Sequence, residues 1–409
     1  MLGASMLSCA RAPERPPPVE CGNAGDAPVA MVELPGNPFQ AIPTADGCHA
    51  FVSLVGPVEP GDPRRPPTPG AAKGGVAVVN LAKLSLERVV TLEGSPYGMV
   101  LTHDGRLLIV TSDDRVAFLD TTLLLSGSAS SVLGYLHDAP AAGRMYANVT
   151  SDDRWLFMSD ESSRTISVVD LAAARGSNFH ADSVVGQIPV GRAPIALTFS
   201  PDERLLYTTS QIAPDSYGWA QDCSPPPSEL ARQGPRYATG AILVIDVARA
   251  TREPAQSVIA SIPAGCNPVR LVTSPDGSVA YVSARTDNAV LAFDTSKFLN
   301  APGTALIGRV PVGDAPVGLA VLNLGARVAV TNSNRFADTA AAQSLTIIDT
   351  KKIGTGEPAV IGSVPTGAFP RELVLTSNQQ TLLLTNFGSK TLAIMDVARL
   401  PIKARKDQN

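Results

Sequence analysis

Gly191-Arg192-Ala193-Pro194, Ser200-Pro201-Asp202-Glu203, Leu206-Tyr207-Thr208-Thr209 and Leu243-Val244-Ile245-Asp246 follow one another in the chain. The next stretch repeats them as Gly265-Cys266-Asn267-Pro268, Ser274-Pro275-Asp276-Gly277, Tyr281-Val282-Ser283 and Leu291-Ala292-Phe293-Asp294. The shared plan is a Gly-x-x-Pro turn, an apolar stretch, a Ser-Pro-Asp-Gly turn, an apolar run ending in Thr or Ser, and a run closing on an acid. Short β-rich runs bounded by turn residues predict a four-stranded antiparallel sheet, and no helical period runs through them.

Working outward, seven copies can be laid down. The turn position falls at Asp46, Asp104, Asp152, Asp202, Asp276, Leu324 and Asn378. The strand-ending position falls at Asn80, Asp120, Asp170, Asp246, Asp294, Asp349 and Asp396. A repeat of roughly fifty residues implies one supersecondary unit per copy. Four strands cannot bury both faces alone, so the sheets must stack around an axis as a seven-bladed β-propeller, an all-β fold. The seventh copy ends at Asp396 with no outer strand, while Pro28-Val29-Ala30-Met31-Val32-Glu33-Leu34-Pro35 precedes the first copy. That run aligns with Val185-Gly186-Gln187-Ile188-Pro189-Val190 and is expected to complete the last blade, which removes two open edges. The propeller therefore spans 28–397, between a 1–27 leader and tether and a 398–409 tail.

The segments Val330-Thr331-Asn332, Leu384-Thr385-Asn386 and Tyr281-Val282-Ser283, with the Gly-x-x-Pro and Ser-Pro-Asp-Gly turns, resemble the YVTN family of β-propeller repeats over residues 28 to 397. The tetrapeptide Tyr-Val-Thr-Asn is nowhere intact, and the third copy has Gly143-Arg144 where proline is expected. Propellers similar to this family, in the lactonase-like and quinoprotein-like group, include surface proteins, carriers of redox partners and hydrolases. The resemblance thus implies a fold and leaves function to the site.

Composition narrows the classes. The chain has 409 residues, 44% of them hydrophobic and only 17% charged, with a net charge of −4. Apart from Lys403 to Lys406 there is no basic block, which argues against a nucleic-acid partner. The 34 glycines and 35 prolines suit many tight turns. No run of about 18 apolar residues suggests a membrane-spanning helix. Met6-Leu7-Ser8-Cys9-Ala10 resembles a bacterial lipobox ahead of a Pro-rich stretch from Pro13 to Pro18, so Cys9 is a candidate lipidation site and membrane attachment is expected only through it. Its alternative is a chance cysteine in a tail. The apolar segment before Cys9 is short for a signal, which places the true start upstream or marks a clipped signal.

The other cysteines, Cys21, Cys48, Cys223 and Cys266, form an even set and point to an oxidising, extracytoplasmic compartment. Insertions at 54–74, 211–239 and 333–343 all fall between second and third strands and so decorate one mouth. The 211–239 loop carries Tyr217, Trp219, Cys223 and Pro225-Pro226-Pro227, and Cys266 lies in the turn opening the next blade on that mouth. A Cys223–Cys266 disulfide would stabilise by about 3 to 5 kcal/mol on the entropic model and hold Trp219 near the channel. Cys21 and Cys48 would brace the ring closure on the opposite face. Four free thiols are the alternative.

Side chains alternate along each innermost strand. One and three places after the proline the residues are apolar and are assigned to the core: Phe39, Tyr97, Met145, Ile195, Val269 and Val317, then Ala41, Met99, Ala147, Leu197, Leu271, Leu319 and Leu373. Two places after it stand Gln40, Gly98, Tyr146, Ala196, Arg270, Gly318 and Glu372, the expected channel ring. Gln40, Tyr146, Arg270, Glu372 and Trp219 are the candidate ligand-binding residues. The alternative is that the polar members satisfy one another in a water-filled channel.

His49, His103, His137 and His180 show no metal spacing, so no metal is expected. No haem, nucleotide or nucleophile-elbow motif is present, so no cofactor is expected. Asp113-Asp114 and Asp160-Glu161, on adjacent blades, form either a calcium site or a solvated rim. The Asn148-Val149-Thr150 sequon lies in an inner strand and is discounted. Two functions remain. One is a monomeric extracytoplasmic binding or scaffold propeller, meeting a protein partner or small ligand at the loop-bearing mouth. The other is a lactonase-like hydrolase with Glu372 as general base and Arg270 stabilising an oxyanion.

Overall fold

The computed structural model describes residues 21, 27–56, 74–112, 114–128, 130–137, 143–179, 183–336 and 343–400. Seven antiparallel sheets succeed one another: blade one over 37–91, two over 96–136, three over 144–189, four over 192–263, five over 268–311, six over 316–365 and seven over 370–396. The chain steps outward strand by strand in each. The fourth strand of blade seven is Val29–Glu33, with Val29 opposite Met395 and Glu33 opposite Thr391. The expected clasp is therefore formed, and Pro370–Leu375 lies against Asn37–Pro43 to close the ring. Apolar faces of adjacent blades mate between the sheets, as where Ile242, Val244 and Ile262 of blade four meet Leu271, Val282 and Phe293 of blade five.

The two recurrent columns have local chemical tasks. Asp120, Asp170, Asp246, Asp294, Asp349 and Asp396 accept backbone N–H groups of Leu123, Ala172 and Ala173, Arg249, Ser296, Lys351 and Ala398, and Asn80 accepts that of Lys83. Side-chain acceptors at such positions stabilise helical turns, and turns such as Thr121–Ser126 and Leu171–Gly176 follow. These short helices were not expected, because one or two turns are too brief to leave a period in the sequence. In the turn column, the hydroxyls of Thr44, Thr102, Thr150, Ser200, Ser274 and Thr376 donate to Asp46, Asp104, Asp152, Asp202, Asp276 and Asn378 at 2.5–2.7 Å. Blade six lacks the acid and uses a 3-10 turn, Asn323–Gly325, with Leu324 at φ 54°.

The innermost strands carry one extra residue. The register shifts between Pro38 and Ala41, Pro96 and Met99, Arg144 and Tyr146, Pro268 and Leu271, Pro316 and Leu319, and Pro370 and Leu373. In blade four the same stretch divides the strand into Arg192–Pro194 and Thr198–Phe199. A bulge takes backbone groups out of the ladder, and buried ones need replacement partners. The Ser or Thr of the second strand supplies them. In blade five the Arg270 N–H donates to Ser283 Oγ at 3.0 Å, and that hydroxyl donates to the Val317 carbonyl of blade six at 2.7 Å. Ser53, Thr209, Thr331 and Thr385 do the same in their blades. The Thr385 hydroxyl joins blade seven to the Phe39 carbonyl of blade one.

Thr385→Val keeps the shape and strands the Glu372 N–H and Phe39 carbonyl in the interior. Urea unfolding is expected to show a loss of about 1–3 kcal/mol. An unchanged midpoint would mean that the bridge across the closure contributes nothing.

Candidate functional site

Three of the expected channel residues meet in the middle of the ring. Arg270 of blade five donates through Nε to Glu372 Oε2 of blade seven at 2.8 Å and through Nη2 to Oε1. Tyr146 of blade three donates its hydroxyl to Glu372 Oε1 at 2.9 Å, and the Arg270 guanidinium lies 3.4 Å from the centre of the Tyr146 ring. All three are buried. Gly318 stands in the blade between Arg270 and Glu372, where a Cβ would come within 2.1 Å of the Arg371 carbonyl oxygen. Burial, reinforced by the Glu372 charge and opposed by Arg270, pushes the Tyr146 phenol well above its ordinary range. Burial also disfavours the Arg270 cation, but Glu372 and Tyr146 outweigh it and hold that guanidinium above its usual value. The result is a charged pair with a neutral phenol, in which both Glu372 oxygens already accept hydrogen bonds. Gln40, the fourth polar member, instead accepts the Met99 N–H of blade two at 2.7 Å.

The residues one place after the proline need correction. As core residues they are expected to pack between blades, yet Phe39, Tyr97, Ile195, Val269 and Val317 gather with Tyr146 and Phe387 in a single cluster. Ring centres of Phe39 lie 5.2 Å from Tyr97 and 5.4 Å from Tyr146. Strict alternation fails because the bulge turns two consecutive side chains inward. Three places after the proline, Ala41, Met99, Leu271, Leu319 and Leu373 do occupy clusters between blades. The seventh member of the misassigned column is Arg371, which sequence reasoning passed over. Its guanidinium lies 4.1 Å from the Phe39 ring centre and 5.5 Å from those of Phe369 and Phe387.

On the loop-bearing mouth, Cys223 and Cys266 form a disulfide with Cα atoms 5.6 Å apart. Cys223 and Tyr237 exchange backbone hydrogen bonds at 3.1 and 3.0 Å, making a small hairpin beside blade five. Trp219 stacks obliquely on Tyr217, ring centres 5.2 Å apart, and both pack on the apolar cluster. Burial pushes the Tyr217 phenol above its ordinary range, opposed by its hydrogen bond with Ser261 on the outermost strand of blade four. Cys21 and Cys48 form the second disulfide, Cα atoms 5.2 Å apart. Cys9, Asp113, His180, most of the 54–74 loop and 337–342 lie outside the described residues. The acidic pairs of blades two and three are engaged separately: Asp114 with Arg115 at 2.8 Å, and Asp160 with the N–H groups of Ser162 and Ser163 at 2.9 Å. Among the described residues no three His, Cys, Asp or Glu side chains converge.

No protein-family model matches the chain, and no curated protein matches it by sequence. Among solved structures it is similar to a chain of Kuenenia stuttgartiensis Hydrazine Synthase, with a TM-score of 0.63 and 17% identity over 89% of this chain and 96% of that one. The likeness establishes the fold. It is a seven-bladed β-propeller.

Arg270→Ala leaves Glu372 buried without its counter-charge and is expected to cost about 3–5 kcal/mol in stability. The paired replacement Arg270→Met with Glu372→Leu should recover most of that loss. Equal losses in the single and paired variants, measured by denaturant unfolding, would contradict a coupled ion pair.

Proposed function

We propose that this chain is an extracytoplasmic binding propeller of the YVTN-repeat type that presents its loop-bearing mouth to a ligand or protein partner. The observation that carries the reading is the Cys223–Cys266 bridge. It pins the longest described insertion to the turn opening the next blade, a stabilisation that an inert surface loop does not need. Two disulfides favour an oxidising compartment, and lipidation at Cys9 belongs to the same reading. The bridging hydroxyls Thr331 and Thr385 occupy the Thr place of the YVTN tetrapeptide, which supports the repeat type.

The lactonase-like reading fares worse on chemistry. A general base needs a lone pair aimed at water, whereas the Glu372 carboxylate is held by Arg270 on both oxygens and by Tyr146 on one. The charge of Arg270 is in turn balanced by Glu372, so the pair has no net charge to offer an oxyanion.

Deleting 213–236 together with Cys266→Ser should abolish partner capture from envelope extract while the blades, though less stable, still unfold in one cooperative transition. Trp219→Ala should weaken it. Undiminished capture by both variants would remove this mouth from the interaction. A panel of lactones should show no turnover; turnover lost in Glu372→Gln would restore the hydrolase.

A further inference from the structure

Beside the Arg270–Glu372 pair, the loop-bearing mouth brings together three arginines, with the acids Glu161 and Glu229 near Arg285. Arg285 follows the second strand of blade five, Arg335 follows that of blade six, and Arg371 opens the inner strand of blade seven. Arg285 is only 6% exposed. Its Nη2 donates to Gln211 Oε1, but its Nε is buried with no hydrogen-bond partner, and so is Nε of Arg371. Among the described residues no carboxylate pairs with Arg285 or Arg371. Arg285 and Arg335 flank the Phe336 ring, 5.5 and 5.9 Å from its centre.

Burial and the repulsion of Arg335 push the Arg285 guanidinium down to about 9; Glu161 and Glu229 offset part of this, and Arg371 adds to it. Below, Arg270, Glu372 and Tyr146 are hydrogen-bonded to one another across the middle of the ring. A buried cation with an idle donor is costly unless something brings the opposite charge. Guanidinium forks match carboxylate and phosphate oxygens, and a group as enclosed as Arg285 is reached by a small molecule and not by a protein surface.

We propose that this mouth binds a small polyanion bearing two or more carboxylate or phosphate groups, gripped by Arg285 and Arg371. The inference rests on the binding reading above and names its ligand class.

Calorimetric titration with citrate and with pyrophosphate, at constant ionic strength because screening weakens charge attraction, tests it against acetate as the monoanion control. At least one polyanion is expected to bind tenfold or more tightly than acetate, and which one does so separates a carboxylate from a phosphate ligand. Arg285→Gln and Arg371→Gln should each weaken that binding at least tenfold, while unfolding of the ligand-free Arg285→Gln protein shifts little or upward as repulsion is relieved. If Arg285→Gln does not fold, the partly exposed Arg371 position carries the test alone. Binding no tighter than acetate, or unaffected by Arg371→Gln, would overturn the site. Partner capture measured on the same variants keeps the two readings apart: capture that persists while anion binding fails defeats this inference alone.

Discussion

The ring depends on one hydrogen-bonded arrangement: a buried hydroxyl on the second strand that accepts the bulge N–H of its own blade and donates to the inner-strand carbonyl of the next. Ser53, Thr209, Ser283, Thr331 and Thr385 all make it, and Ser159 reaches the Ile195 carbonyl. Apolar packing between blades is non-directional and would tolerate sliding. The hydroxyl bridge is directional, so it sets the height of each blade against its neighbour. It also permits the bulge, and the bulge decides which side chains look inward.

Much of this was legible in the sequence. Repeated acids and turns gave blade number and strand order, and strand order alone placed Cys223 beside Cys266 and Val29–Glu33 beside Thr391–Asp396. Tyr146, Arg270 and Glu372 are recognisable because hydrogen-bonding groups in an otherwise apolar strand have few places to go. The same polarity rule misled at Phe39, Tyr97 and Val269, which look like core between blades but line the axis. A one-residue bulge breaks the period of two, and the only sequence trace of it is the recurring Ser or Thr on the facing strand. Arg371 was overlooked for that reason. Arg285 and Arg335 stand in loops without any pattern; their trace is the polar neighbours Glu161 and Gln211 at the matching ends of blades three and four.

Two layers of arginine lie along the axis and differ in what surrounds them. Arg270 has a carboxylate, a phenol and an aromatic face, and its charge is internally balanced. Arg285 has one amide oxygen and an aromatic face. The first layer belongs to the architecture, since it joins blades three, five and seven across the middle. The second is positioned by that architecture yet left electrostatically incomplete, and it lies on the mouth that the disulfide-braced loop also occupies.

Hydrogen exchange tests the hydroxyl ring most directly. The N–H groups of Gln40, Ala196, Arg270, Gly318 and Glu372, bonded to side-chain oxygens and not to the strand ladder, should exchange only through global unfolding, as slowly as those of the central strands. Exchange at these positions well ahead of the second strands would show that the bulges open on their own, and the account of how the ring is held would be wrong.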